Sequence, residues 1–106
     1  MRFLDFFRTP DLNQGLTMYE TTPGAVLLDV RTREEYQTGH IPGSKNIPLQ
    51  ALDKVTSILE DKTAPIFVHC LSGARSAQAV GKLKKMGYTH VTNIGGIAGY
   101  NGKVER

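Results

Sequence analysis

Short, β-prone apolar runs alternate with segments of helical apolar spacing from one end of the chain to the other. The run at 25–30 is apolar except for Asp29, which is typical of a strand that is covered on both faces. Similar strand-like runs lie at 45–47, 66–69 and 90–94. Because strands that alternate with helices are usually joined as βαβ units, the chain is predicted to fold as an α/β domain around a mostly parallel sheet.

The helices are predicted from caps and apolar spacing. The first should have Thr9 as its N-cap and Pro10 in its first turn, and should end at the turn-forming segment 22–24. Further helices are expected at 33–37, 52–59 and 76–86. Gly87 is the expected terminator of the last of these, because a residue with positive φ commonly follows a helix end.

Length and cysteine content limit what the fold can use for stability. The chain has 106 residues, of which 40% are hydrophobic, so residues 1–106 are expected to form one domain with a modest core. Its single cysteine cannot form an internal disulfide, and His40, His69 and His90 do not have the spacing of metal ligands. We therefore expect neither a structural metal nor a cofactor.

The charge balance and the N-terminal sequence do not indicate a nucleic-acid or a membrane partner. Thirteen basic and ten acidic residues give a net charge of +3, which favours small anions mildly and is too weak and dispersed to indicate a nucleic-acid partner. The densest basic cluster, at 82–85, should lie in the last turn of a helix. Asp5 and Arg8 interrupt the apolar N-terminus well short of a membrane span. The sequence therefore predicts a cytoplasmic protein without a membrane partner.

The only cysteine lies where a strand-like run meets a helix-like run. Cys70 follows the strand at 66–69, and ligands of open α/β sheets bind at the carboxyl ends of strands. Gly73 allows a tight loop in which backbone N–H groups converge on an anion. The dipole of the next helix and the charge of Arg75 also favour a thiolate. This interpretation expects an accessible, reactive thiol, whereas the alternative is a buried structural cysteine.

The ordered motifs resemble those of the rhodanese-like domain family, and in particular its small single-domain members. The resemblance extends from about residue 27 to residue 96. Its motifs are Leu28-Asp29-Val30-Arg31, Glu34-Glu35-Tyr36, Gly39-His40-Ile41-Pro42-Gly43-Ser44, Asn46-Ile47-Pro48, the cysteine loop, Gly87-Tyr88 and Gly95-Gly96. The resemblance implies a central parallel sheet flanked by helices on both faces. It also implies sulfurtransferase activity.

The resemblance implies that Cys70 takes a sulfane sulfur from a small anionic donor such as thiosulfate, holds it as a persulfide, and passes it to cyanide or to a thiol, including a protein thiol. The persulfide is an anion, and the loop that follows Cys70 has the N–H groups to bind it. The predicted substrate-binding residues are Leu71, Ser72, Gly73, Ala74, Arg75 and Ser76. Arg75 should orient the donor anion unless its side chain turns away to pair with a carboxylate.

Other polar residues are interpreted as structural. Adjacent strand residues face opposite sides of a sheet, so His69 is expected to be packed rather than to act as a base for Cys70. His40 is expected to fix its loop. Asp29, Arg31 and Glu35 resemble a buried or half-buried charge network at the end of a strand, and the alternative for Arg31 is that it lies near the pocket.

Two other functions combine similar features. Cysteine phosphatases and arsenate reductases also place a thiolate and an arginine at a helix N-terminus, but the resemblance to their loops would require five residues between the two, and this chain has four. A non-catalytic, regulatory rhodanese-like module is the other alternative. It has no chemical need for the combination of Cys70, Gly73 and Arg75.

Overall fold

The computed structural model describes residues 11–106. Within that range one sheet contains four strands: β1 (Val26–Asp29), β2 (Lys45–Asn46), β3 (Ile66–Cys70) and β4 (Val91–Gly96). The helices are α1 (Leu12–Thr21), α2 (Arg33–Thr38), α3 (Val55–Ile58) and α4 (Ala74–Lys85). The strand order is β2-β1-β3-β4 and every pair is parallel, which confirms the predicted sheet.

The two central strands, β1 and β3, are covered on both faces. All five residues of β3 are buried, and its pairing with β1 runs in register from Val26 opposite Ile66 to Asp29 opposite His69. Because successive side chains point to opposite faces, these strands contribute to two separate cores. This explains why their sequences are nearly continuous apolar runs.

Each face of the sheet has its own core. One core joins α1 to the sheet, and its buried members are Leu12, Leu16, Leu27, Ile41, Phe67 and Ile94. The other lies beneath α3 and α4 and includes Leu28, Val55, Val68, Ala79 and Leu83. Helices therefore cover both faces, as predicted. Among residues 11–106, none of the helices has the length and apolar character that crossing a bilayer requires.

Several helix boundaries differ from the predicted ones. Asp11 is the N-cap of α1, and its carboxylate accepts a hydrogen bond of 3.0 Å from the Asn13 N–H. The predicted cap at Thr9 and the Pro10 that follows it lie outside the described residues. The helix predicted at 52–59 is instead a 3₁₀ helix, Leu49–Lys54, followed by α3.

The long helix α4 begins two residues earlier than predicted, at Ala74, because Gly73 adopts a left-handed conformation with φ of 106° and turns the chain directly into the helix. Gly87, with φ of 100°, follows the C-cap as predicted. The basic residues at 82, 84 and 85 occupy the last turn, where they complement the helix dipole.

Strand β4 contains a bulge beside the cysteine loop. Val68 pairs with Asn93, but the next residue of β3, His69, pairs with Gly95, so Ile94 is the additional residue. Bulges bend a strand and redirect it. After this one, Gly96 passes so close to the backbone of Leu71 and Ser72 that a β-carbon at position 96 would collide with it.

Candidate active site

Cys70 is the last residue of β3, and its side chain is enclosed. Residues 71–73 form the loop that leads into α4. The loop is held against the end of the sheet, since the Ala98 N–H donates to the Leu71 carbonyl over 3.1 Å. Cys70 is only 1% exposed, so the expectation of an accessible thiol is wrong for this conformation. The reason is that the strand end, the loop and the first turn of α4 surround the sulfur.

Two donors lie next to the buried sulfur. The Gly73 N–H donates to Cys70 Sγ over 3.0 Å, and Ser76 Oγ lies 3.5 Å from the same atom. The left-handed conformation of Gly73 aims its N–H back at the sulfur, which is the turn that the sequence predicts at this glycine. The loop therefore gives Sγ an environment of polar hydrogens in spite of its burial.

These contacts change the acidity of the thiol. Burial raises the pKa of Cys70, because it disfavours the charged form. Hydrogen bonds from the Ser76 side chain and from loop N–H groups lower the pKa by more, so that it lies below its ordinary value. Those N–H groups belong to Ser76, Gly73 and Ser72. The surroundings favour a thiolate, which is the nucleophilic form of cysteine.

Arg75 forms an ion pair with a helix on the other side of the loop. Its guanidinium donates two hydrogen bonds to the Glu35 carboxylate, of 2.6 and 3.0 Å. Pairing with Arg75 lowers the pKa of Glu35 from 4.5 to about 2. This is the carboxylate pairing that the sequence left open for Arg75. It links α4 to α2 beside the cysteine loop.

The charged residues at the end of β1 form a separate, buried pair. The Arg31 guanidinium donates to both carboxylate oxygens of Asp29 over 2.8 to 3.1 Å, and to the Gly39 carbonyl over 2.8 Å. The expected network of Asp29, Arg31 and Glu35 is thus divided, because Glu35 faces Arg75 instead. Arg31 thus ties the end of β1 to Gly39, where the 39–44 loop begins.

His69 and His40 both make packing or loop contacts. His69 is fully buried, with Nε2 3.8 Å from an Asp29 oxygen, and burial is the main reason that its pKa lies below the ordinary value. The packed interpretation is therefore confirmed. The His40 ring stacks on Tyr36 at 3.8 Å, and its backbone pairs with that of Glu105. These contacts match the predicted loop-fixing role.

Sequence reasoning missed one polar residue at the site, Asn93. Its Oδ1 accepts hydrogen bonds from the Gly95 N–H over 3.0 Å and from the Ser76 hydroxyl over 2.7 Å, while its Nδ2 donates to the Gly73 carbonyl over 3.4 Å. The only signal in the sequence is an asparagine, a residue depleted in strands, two positions before Gly95. That signal identifies an irregularity in a strand, but not its contact with the cysteine loop.

A surface cavity of about 330 Å³ lies beside the loop. Its lining includes Leu71 and Ser72 of the loop, together with Leu12, Gly96 and Ala98. Leu71 is 46% exposed, which is unusual for a leucine in this structure. A small molecule could bind in this cavity against the loop. Cys70 itself does not line the cavity.

Comparison with known proteins gives one consistent family. The model of the rhodanese-like domain matches residues 12–103. Thiosulfate sulfurtransferase PspE of Escherichia coli is 42% identical over 71 residues, which cover 66% of this chain and 68% of that protein. The uncharacterized protein YqhL of Bacillus subtilis is 39% identical, with 76% of this chain and 64% of that protein covered. The chain thus spans less than two thirds of YqhL.

A second relative is also named a thiosulfate sulfurtransferase, and a solved rhodanese structure has the same fold. Thiosulfate sulfurtransferase 18 of Arabidopsis thaliana is 36% identical over 100 residues, which cover 81% of this chain and 71% of that protein. A solved structure described as "rhodanese with anions from E. coli" superposes with a TM-score of 0.71 at 36% identity. It covers 77% of this chain and 98% of that one.

Proposed function

Since the chain belongs to the rhodanese-like domain family, we propose that it is a sulfurtransferase that carries a sulfane sulfur on Cys70 as a persulfide. The observation that supports this most directly is the environment of the only thiol. Cys70 is the last residue of the central strand β3, and its Sγ lies next to the Gly73 N–H and the Ser76 hydroxyl. These donors favour the thiolate form of Cys70.

The proposed reaction consists of two displacements at sulfur. Cys70 is 1% exposed, so the proposal requires the loop at 71–73 to open far enough for thiosulfate to reach Sγ. The Cys70 thiolate then attacks the outer sulfur of thiosulfate, a new S–S bond to Sγ forms, the S–S bond of the donor breaks, and its electron pair leaves with sulfite. An acceptor thiolate or cyanide then attacks the outer sulfur of the persulfide, and Cys70 leaves as a thiolate again. The outer sulfur moves from donor to acceptor in the same formal state, so no external oxidant or reductant is consumed.

The loop stabilises the anion at each stage. The Gly73 N–H already lies 3.0 Å from Sγ before a sulfur is transferred, and a preorganised donor of this kind contributes about 3 kcal/mol to transition-state stabilisation. Arg75 adds positive charge, but Glu35 already neutralises much of it. A donor dianion must therefore compete with the Glu35 carboxylate for the guanidinium.

The partners follow from this chemistry. We propose a small anionic sulfur donor, and either cyanide or a thiol as acceptor, including a thiol on another protein. Two of the relatives are named thiosulfate sulfurtransferases, which agrees with thiosulfate as a donor. The alternative of a non-catalytic module gives no role to the two donors beside Sγ, which lower the pKa of Cys70.

Intact-mass spectrometry tests the proposal. Incubation with thiosulfate followed by desalting should add the mass of one sulfur atom to the protein, and cyanide should remove it with formation of thiocyanate. Cys70→Ser should gain no sulfur and should transfer none to cyanide. The proposal is wrong if the unmodified protein gains no sulfur, or if Cys70→Ser gains it equally well.

The phosphatase alternative is tested with the same protein. An aryl phosphate should not be hydrolysed at a measurable rate, since only four residues separate Cys70 from Arg75 and Arg75 is held by Glu35. Hydrolysis that is lost in Cys70→Ser would favour the phosphatase assignment over sulfur transfer.

A further inference from the structure

Asn93 connects three parts of the structure that meet behind Cys70. Its carboxamide contacts the β4 bulge through the Gly95 N–H, the cysteine loop through the Gly73 carbonyl, and helix α4 through the Ser76 hydroxyl. The Gly95 N–H fixes the orientation of the amide, because only Oδ1 can accept its hydrogen bond. In the opposite orientation the Asn93 NH₂ group would face the Gly95 N–H, which is also a donor, and the Asn93 oxygen would face the Gly73 carbonyl, which is also an acceptor.

The Ser76 hydroxyl has one proton to donate and several possible acceptors. Four atoms lie within 3.5 Å of Ser76 Oγ: Asn93 Oδ1 at 2.7 Å, the Gly73 carbonyl at 3.0 Å, the Gly95 carbonyl at 3.4 Å and Cys70 Sγ at 3.5 Å. A hydroxyl donates only one hydrogen bond. The shortest contact is with Asn93, so the carboxamide fixes where this buried hydroxyl rests relative to the sulfur.

Gly73 is the other group that Asn93 holds. Its N–H donates to Cys70 Sγ, while its carbonyl accepts from Asn93 Nδ2. The two residues that supply donors to Sγ, Gly73 and Ser76, are thus both hydrogen-bonded to the Asn93 carboxamide. Asn93 is partly buried and does not itself touch Sγ in the described structure.

We propose that Asn93 is a positioning residue for sulfur transfer, which holds the Gly73 peptide and the Ser76 hydroxyl in register with Cys70 Sγ. This inference rests on the proposed function. When Cys70 is a thiol, the Ser76 hydroxyl donates to Asn93. When Cys70 becomes a thiolate, the hydroxyl proton turns toward Sγ, and Asn93 keeps its bond from the Gly95 N–H.

The role predicts what substitution does. Asn93→Ala removes all three bonds, so kcat/KM for thiosulfate should fall by about 10- to 100-fold, because small displacements of positioned groups have effects of this size. Asn93→Asp has nearly the same shape and keeps the acceptor for the Gly95 N–H, but it replaces the donor to the Gly73 carbonyl with a second oxygen. Its negative charge should retain the Ser76 proton and repel the thiolate, so alkylation of Cys70 should require higher pH than in the unmodified protein.

A double-mutant cycle separates positioning from a general structural effect. The Asn93→Ala and Asn93→Asp changes are made in the unmodified chain and in a Ser76→Ala chain, and the pH midpoint of Cys70 alkylation is measured in each. Asn93→Asp should shift the midpoint upward, and by less when Ser76 is absent. Thr92→Ala, an exposed neighbour in the same strand, is the control and should leave midpoint and kcat/KM unchanged.

Several results would overturn the proposal. Shifts of equal size with and without the Ser76 hydroxyl would mean that Asn93 does not act through it, and an unchanged kcat/KM in Asn93→Ala would mean that the contacts are not used. If Asn93→Ala does not fold, the Asn93→Asp comparison decides in the same way. Alkylation does not depend on sulfur transfer, so failure of the mass experiment would refute the proposed function while the cycle still tests Asn93.

Discussion

Glu35 and Arg75 illustrate how a single residue pair couples acidity to stability. The pKa of Glu35 falls from 4.5 to about 2 because of Arg75, so the folded state holds this proton less tightly than the unfolded chain does. The stabilisation is therefore fully present above about pH 4.5 and is lost as the pH falls toward 2. Both side chains are about 30% exposed, so its size should be about 1 kcal/mol or less.

Urea unfolding at a series of pH values checks this directly. Between pH 4.5 and 2 the unmodified protein should lose more stability than Glu35→Gln, which has no carboxylate to protonate. Glu34→Gln, at the exposed neighbouring position on α2, should follow the unmodified protein. Equal losses in the unmodified chain and in Glu35→Gln would show that the pair does not contribute.

The residues of the site differ in how far sequence alone predicted them. Cys70, Gly73 and the left-handed turn follow from local rules, because strand end, glycine and helix start are neighbours in the chain. The partner of Arg75 does not, since Glu35 lies 40 positions away and meets it only in the folded structure. Asn93 was missed for the same reason. The burial of Cys70 also depends on how tightly Gly96 allows β4 to approach the loop.

Two helical glycines differ in what surrounds them. A β-carbon at Gly15 of α1 would run into the side chain of Ile94, whereas one at Gly81 of α4 would meet nothing within 4 Å. Alanine is favoured over glycine inside helices by about 1 kcal/mol. The environment of each position therefore decides the sign of a Gly→Ala change.

Thermal unfolding should separate the two substitutions. Gly81→Ala should stabilise the protein by roughly 0.5–1 kcal/mol, as expected from propensity alone. Gly15→Ala should destabilise it by about 1–3 kcal/mol, the usual cost of overpacking, because α1 must move away from β4. A stabilising Gly15→Ala would mean that α1 is not packed as closely on the sheet as described.

At the level of elements, the alternating pattern was sufficient for the order and type of the strands and helices. It was insufficient at 49–59, where Ala51 departs from helical angles and a 3₁₀ helix precedes α3. Apolar spacing does not distinguish these two helix types over so few residues. The bulge in β4 was also missed, because it depends on the Asn93 side chain rather than on apolar alternation.

The whole molecule is organised around the pairing of β1 with β3. These strands separate two cores that share the same sheet, so a loss on either face weakens both. Leu83 of α4 is fully buried in one core and Leu27 of β1 is 1% exposed in the other. We therefore expect the described residues to unfold cooperatively rather than face by face.

Truncation on either face tests this expectation. Leu83→Ala and Leu27→Ala should each cost about 2–5 kcal/mol, the usual range for a buried leucine. Each should lower the midpoint of one common transition, measured by circular dichroism and by tyrosine fluorescence. Met18→Ala, on the exposed side of α1, is the control and should have little effect. Two separate transitions in either leucine variant would show that the faces unfold independently.

The enclosure of Cys70 also determines how the protein withstands storage in air. Two copies can join through a disulfide only if their sulfur atoms approach to about 2 Å, with the β-carbons about 4 Å apart. A thiol that is 1% exposed cannot reach that geometry while its loop is closed. Non-reducing electrophoresis after aerobic incubation should therefore show little covalent dimer, and mild urea that loosens the loop should increase it. Rapid dimer formation without denaturant would show that the loop opens widely enough to admit a second protein, and not only a small anion.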